Sequence, residues 1–196
     1  MGKSLKLACI FLASGHSKRF HDNKLLSDFG GRPMVDVVLG NFPYEYFNQT
    51  VVVTRYAQVA VTAAEHGFTI VENDDETDDI SKTIKLGLAV LAPDTDGCLF
   101  SVCDQPMLRP QSIGALVDAF RAKPDSIVAL GFRGKRGNPV LFPRTLFDEL
   151  NALEPNQSGG AVIAAHKELL TVVEASNRRE LVDIDYRADL ETLTHS

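Results

Sequence analysis

The amino-acid sequence predicts a doubly wound α/β fold, a mainly parallel sheet with helices on both faces. Three observations lead there. Short apolar, β-branched runs alternate along the chain with segments of helical period, most of those runs are apolar at every position rather than every second one, and Pro110 and Pro143 stand where helices begin. A strand apolar on both faces is covered on both faces, as in a parallel sheet packed between helices. Proline is tolerated at a helix start because the N–H it lacks has no intrahelical partner there.

The elements follow in order. Strands are predicted at Leu5–Leu12, Thr50–Thr54, Phe68–Val71, Cys98–Cys103, Ser126–Leu130, Val140–Phe142 and Leu170–Val173. Helices are predicted at Met34–Asn41, Gln58–His66, Ser81–Leu91, Gln111–Arg121, Arg144–Leu153 and Gly160–His166. No repeat, low-complexity tract or linker interrupts them, so residues 1–196 are expected to form one domain.

Composition narrows the function. A hydrophobic fraction of 44% and a charged fraction of 23% are those of a water-soluble chain with a sizeable core. A net charge of −6 argues against general binding to nucleic acid or to a membrane surface, both of which need a basic face. It leaves phosphate ligands open, since a few local cations override a global balance. The apolar run Leu5–Leu12 is too short for a secretory signal or a membrane span. Cys9, Cys98 and Cys103 are odd in number and lack CxxC spacing, so a zinc site or a disulfide framework is not expected. A reducing cytoplasm fits best.

In a doubly wound sheet, ligands bind beyond the carboxyl ends of the strands near a topological switch point. Beyond the first strand, which ends at Leu12, lies Ala13-Ser14-Gly15, followed by Arg19 and Lys24. Small residues let backbone N–H groups approach an anion, Arg19 offers a planar fork to phosphate oxygens, and Lys24 offers a mobile point charge. A solvated loop with ordinary surface cations reads equally well from these residues alone. The segment is neither the GxxxxGK[ST] phosphate loop nor the GxGxxG dinucleotide fingerprint. Asp104 stands at another strand end, as a metal ligand or a turn cap. Asp183 and Asp185 form an acid pair near the C-terminus.

The segment LASGHSKRFHDNK at 12–24 resembles the LAAGxSxRMGxxK signature of cofactor and sugar-nucleotide nucleotidyltransferases. Further matches follow in the same order and cover most of the chain. They are Lys24-Leu25-Leu26 with GRPMVDVVL, VVVTR at 51–55, Ser81-Lys82-Thr83-Ile84, Cys103-Asp104-Gln105-Pro106, Gly137-Asn138-Pro139-Val140 and Asp183-Ile184-Asp185. The chain is similar to the MobA-like nucleotidyltransferases, and within them to molybdenum-cofactor cytidylyltransferases.

That resemblance implies a Rossmann-like nucleotide-diphospho-sugar transferase fold and a Mg²⁺-dependent transfer of CMP from CTP to molybdopterin, with release of pyrophosphate. It assigns the catalytic roles to Arg19 and Lys24. Leu12, Ala13, Ser14, Gly15, Arg19, Lys24, Ser81 and Asp104 would bind nucleotide. The metal would lie on Asp104 and Asp185, with Asp183 as a competitor for the second place. Ser81 and Thr83 fit contacts to base or ribose, although capping explains Ser81 as well. Arg133, Lys135, Arg136 and Asn138 would grip the acceptor beside a Gly137-Asn138-Pro139 turn, a solvated basic loop being the alternative. A molybdenum hydroxylase is an implied partner.

The sequence departs from the family pattern in three places. His21 and Asp79 stand where glycines are usual, with Asp79 ending the acidic run Glu72–Asp79, and Asn156–Ala161 lacks the usual Asp and Arg. Guanylyl transfer from GTP, transfer to another phosphorylated small molecule, and a non-catalytic cofactor-binding protein are the alternatives.

Overall fold

The computed structural model describes residues 4–16, 23–186 and 189. Within them seven strands form one sheet: β1 (Leu7–Ala13), β2 (Gln49–Thr54), β3 (Thr69–Glu72), β4 (Gly97–Val102), β5 (Ile127–Phe132), β6 (Lys135–Pro143) and β7 (Leu170–Glu174). Their order is β3-β2-β1-β4-β6-β5-β7, and β6 alone runs antiparallel to its neighbours. The helices are α1 (Met34–Gly40), α2 (Ala57–Glu65), α3 (Ile80–Ala89), α4 (Pro110–Ala122), α5 (Phe147–Asn151) and α6 (Gly159–Ala165).

Each predicted strand is present, and the physical reason is visible in β1. Leu7, Cys9, Phe11 and Ala13 enter one core layer, under α1, α2 and α4. Ala8 and Ile10 enter the other, under α3, α5 and α6. A strand that must fill two cores cannot alternate apolar with polar, so it reads as an apolar run. All three cysteines are free thiols inside these layers, and burial pushes each of them up, away from nucleophilic or ligand chemistry.

Helix α3 lies unusually close to the sheet. A Cβ added at Gly87 would stand 2.7 Å from Ile10 Cγ2 and 3.2 Å from Val53 Cγ2. Glycine at 87 therefore sets the height of α3, and with it the position of the helix start that faces the strand ends.

Two sequence expectations need correction. The segment Gly137-Asn138-Pro139 is not a turn; it lies inside β6, and the reversal occurs one step earlier at Arg133 (φ 52°) and Gly134 (φ 73°). Both residues lie in the left-handed region that a two-residue hairpin turn requires. Glu174 of β7 fixes that turn, accepting from the backbone N–H groups of Arg133 at 2.8 Å and Gly134 at 2.9 Å. The predicted helix Arg144–Leu153 is a 3-10 turn at Arg144–Leu146 followed by the short α5. No helix among the described residues is long and apolar enough to cross a membrane.

The chain runs outward from β1 through β2 to β3, then crosses back to place β4 on the other side of β1. The switch point thus lies over the carboxyl ends of β1 and β4, where ligand crevices form in such sheets. Because β6 is reversed, its first residues Lys135–Asn138 also reach this edge.

Candidate active site

The loop after β1 is held against β2 and the residues just beyond it by side-chain bonds from both sides. Ser14 is buried and its Oγ donates to the Val53 carbonyl at 3.1 Å, so the hydroxyl faces β2. Thr54 Oγ1 donates to the Ala13 carbonyl at 2.9 Å, and the Tyr56 hydroxyl donates to the Gly15 carbonyl at 2.7 Å. A Cβ at Gly15 would meet nothing within 4 Å, and Gly15 is not in the left-handed region. Neither packing nor backbone angle calls for glycine there. A side chain would instead fill a cavity of about 280 Å³, bounded by Leu12, Ser14, Gly15, Thr83 and Val102 and by the Arg55–Asp78–Asp79 side.

Arg55 is the first residue beyond β2, and the strand-end rule alone would have drawn attention to it. Its guanidinium donates to the Thr77 carbonyl at 2.8 Å and stands 2.6 Å from His16 Nε2, while His16 Nδ1 lies 3.1 Å from Asp78. The acidic run Glu72–Asp79 is thereby folded into local contacts. Asp75 accepts from the Thr77 N–H at 2.8 Å and pairs with Lys82 at 3.1 Å; its carboxyl is held down at about 2, by Thr77 first and by Lys82 as well.

Asp79 is the N-cap of α3, accepting from the Ser81 N–H at 2.8 Å. The same oxygen accepts from the Asn156 N–H at 2.8 Å. Two departures from the family pattern, at 79 and at 156, are thus one contact between the α3 start and the loop before α6. Ser81 itself is 2% exposed and does not line the cavity, which Thr83 does.

Beyond β4, three sequence-predicted residues come together. Lys24 opens a short 3-10 turn, Lys24–Leu26, capped by Asn23. Its Nζ donates to Asp104 Oδ2 at 2.7 Å and to Asp185 Oδ1 at 3.0 Å. Asp185 arrives from the far end of the chain because Ile184 is fully buried and its N–H donates to the Asp104 carbonyl at 2.9 Å. Burial opposes the Lys24 charge, yet Asp104 and then Asp185 hold the ammonium above its ordinary range. Desolvation pushes the Asp183 carboxyl up, with Asp104 adding to it, although Gln105 Nε2 donates to Asp183 Oδ1 at 2.8 Å. Asp104 Oδ1 is buried and has no hydrogen-bond partner among the described residues. Arg19 and His21 lie outside the described residues.

A second cavity, about 240 Å³, adjoins the first and shares Leu12, Ile80 and Val102 with it. Its wall is apolar, with Phe100, Val140, Phe142 and Ile163, and polar at Arg136, Asn138 and Ser158. Of the four residues predicted to grip an acceptor, Arg136 and Asn138 line this cavity. Arg133 and Lys135 do not: both are exposed at the hairpin end, with the Arg133 guanidinium 5.4 Å from the centre of the Phe132 ring. Ser158 and the two glycines after it, which the sequence marked only as a departure, form part of the same wall.

Comparison with known proteins shows the family and the fold. Residues 9–169 match the model of the MobA-like NTP transferase domain. No curated protein sequence matches the chain. Among solved structures, a nucleotidyl transferase from Methanothermobacter thermautotroptrophicus is similar with a TM-score of 0.83 and 19% identity, covering 99% of this chain and 97% of that one. The homologue of Mycobacterium tuberculosis Rv0371c from Mycobacterium sp. strain JC1 gives 0.80 and 21%, over 96% and 95% of the two chains. The manganese complex of Rv0371c from Mycobacterium tuberculosis H37Rv gives 0.74 and 22%, over 97% and 99%. At these identities the likeness is one of fold.

Proposed function

The chain belongs to the MobA-like NTP transferase family, whose chemistry is nucleotidyl transfer, and from that premise we propose that it moves CMP from CTP onto a molybdopterin-type phosphate. An oxygen of the acceptor phosphate bonds to the α-phosphorus of the triphosphate as the bond to the bridging oxygen breaks, and pyrophosphate leaves. The acceptor phosphate is already ionised near neutrality, so no general base is needed, and catalysis rests on positioning and on charge stabilisation.

The observation that carries this reading is the meeting of Lys24 with Asp104 and Asp185 at the switch point. Asp104 and Asp185 would hold a divalent cation, Mg²⁺ by the family resemblance. Asp104 Oδ1, buried and without a hydrogen-bond partner among the described residues, is a hard oxygen donor suited to such a cation. When bound, such a cation neutralises charge gathering on the leaving pyrophosphate.

Lys24, kept charged by its two carboxylates, would stabilise the α-phosphoryl oxygens, and Arg19 the outer phosphates. The backbone at Ser14 and Gly15 would approach the triphosphate, with Thr83 toward base or ribose. Arg136 and Asn138 would orient the acceptor phosphate, with apolar walls keeping water from the reacting phosphorus. We place this activity in the reducing cytoplasm, beside a molybdenum hydroxylase that receives the product.

A second reading, transfer to a different phosphorylated small molecule, is favoured by one feature. The cavity beside Arg136 is walled by Phe100, Val140 and Phe142 and has few polar groups to match a pterin edge. Pyrophosphate release measured with each of the four nucleoside triphosphates, with and without molybdopterin, tests the proposal. The fastest release should need CTP and molybdopterin together. Absence of turnover with every triphosphate and acceptor would sink the enzyme reading.

A further inference from the structure

Glu180 is fully buried, and among the described residues no lysine or arginine side chain donates a hydrogen bond to it. Its Oε2 accepts from Ser112 Oγ at 2.5 Å and from the Arg109 N–H at 3.3 Å. Its Oε1 accepts from the Ser176 N–H at 2.9 Å and from Ser176 Oγ at 2.7 Å. Burial would push this carboxyl up, but Ser112 and then Ser176 outweigh it and hold the group below its ordinary value. An anion beside the first turn of the 13-residue α4 is also favoured by the helix dipole.

What lies on either side explains why such an arrangement is worth its desolvation. Helix α4 begins shortly after Asp104-Gln105-Pro106. The segment after β7 has no strand pairing of its own among the described residues, only the 3-10 turn Arg178–Leu181. Four residues beyond Glu180, Ile184 buries itself and donates to the Asp104 carbonyl at 2.9 Å. Asp183 and Asp185 flank Ile184, one meeting Gln105 and the other Lys24. Side-chain bonds here do the work that a ladder does for the strands.

We propose that Glu180 is the positioning residue of the phosphate and metal site, tying the returning segment to α4 so that Asp185 meets Asp104 and Lys24. This rests on the metal reading given above. Glu180→Gln keeps the shape but replaces an acceptor oxygen with an N–H₂ that faces donors at Ser176 or at Ser112 and Arg109.

The test uses two readouts on the full chain: amide exchange along 176–186 compared with β1 and β4, and Mn²⁺ affinity by electron paramagnetic resonance. In Glu180→Gln, exchange should quicken in 176–186 while the strands stay protected, and Mn²⁺ should bind about tenfold more weakly, as expected on losing a partner that orients a ligand. Unchanged exchange, or quickened exchange with wild-type Mn²⁺ affinity, would overturn the proposal. Should Glu180→Gln fail to fold, Ser112→Ala removes one of the four bonds, keeps the carboxylate, and should move both readouts in the same direction by less. A wild-type chain that binds no Mn²⁺ would overturn the metal reading, and the exchange difference would still decide whether Glu180 holds the segment.

Discussion

The two cavities that meet at Leu12, Ile80 and Val102 sit over the same sheet edge and are built on different terms. On the β1–β2 side the ligand space is bounded by backbone and charge, with Gly15, Arg55, Asp78 and Asp79 held by hydrogen bonds between loops. On the β6 side it is bounded by core side chains from β4, β6, α5 and α6, with Arg136 and Asn138 at its polar end. The first joins these loop contacts to the strand-end side chains Leu12 and Val102. The second is continuous with the core, so its shape is fixed by packing. In the reaction proposed above, the triphosphate would lie against the first wall and the acceptor against the second.

The largest expected effect falls where polar chemistry concentrates. Asp104→Ala removes both carboxylate oxygens, the buried Oδ1 and the Oδ2 that pairs with Lys24, and leaves Lys24 with Asp185. Pyrophosphate release should fall by about a hundredfold to a thousandfold, while the thermal midpoint stays near that of the wild type. A rate within twofold of wild type would take Asp104 out of the site.

Next comes the element common to both cavities. Helix α3 gives Thr83 to one and Ile84 to the other, and Gly87 sets its distance from the sheet. Gly87→Ala inserts a methyl group 2.7 Å from Ile10. Such overpacking typically costs about 1–3 kcal/mol, seen as a lower denaturant midpoint with unchanged slope. If both substrates then bind more weakly, α3 is the shared wall; unaltered stability would show that α3 has room to move.

A smaller effect separates the two cavities. Arg136→Ala should raise the KM for the acceptor by about tenfold, in line with the loss of one charged hydrogen bond, and leave the KM for the triphosphate unchanged. An equal rise in both would mean that the cavities form one binding site.

Legibility in the sequence follows the same division. Strands buried on both faces announce themselves as apolar runs, so all seven were readable, whereas Lys24, Asp104 and Asp185 were singled out by the family resemblance; from the residues alone they read equally as a surface cation, a turn cap and half of an acid pair. Asp79 and Asn156 looked like separate departures, since nothing in their spacing shows that one carboxylate oxygen bonds both the Ser81 and Asn156 N–H groups. Gly137-Asn138-Pro139 read as a turn because those residues favour turns, whereas the chain reverses at Arg133, a residue type with no such preference. Glu180 follows Arg178 and Arg179 and reads as a solvated charge; its burial depends on Ser112, far away in sequence.

The smallest effect concerns the apolar wall and its response to pH. His166, just past α6, donates from Nε2 to Glu149 of α5, 2.8 and 2.9 Å from the two carboxylate oxygens, and its Nδ1 lies 3.6 Å from Glu168. The bond to Glu149 holds the imidazolium above its ordinary value of 6.5; burial opposes this weakly and Glu168 adds to it. A folded-state value above the unfolded one contributes stability that is fully present below pH 6.5 and is lost as pH rises through the folded value. Helices α5 and α6 carry Leu150 and Ile163 of the cavity wall, so loosening of that contact should show there first. Amide exchange across 147–165 should quicken between slightly acid and slightly alkaline pH, beyond the intrinsic rate change, while the loop at 14–16 does not follow. In His166→Gln the pH-dependent part should vanish. If it persists, another group governs the wall, and the packing of α5 against α6 alone sets its shape.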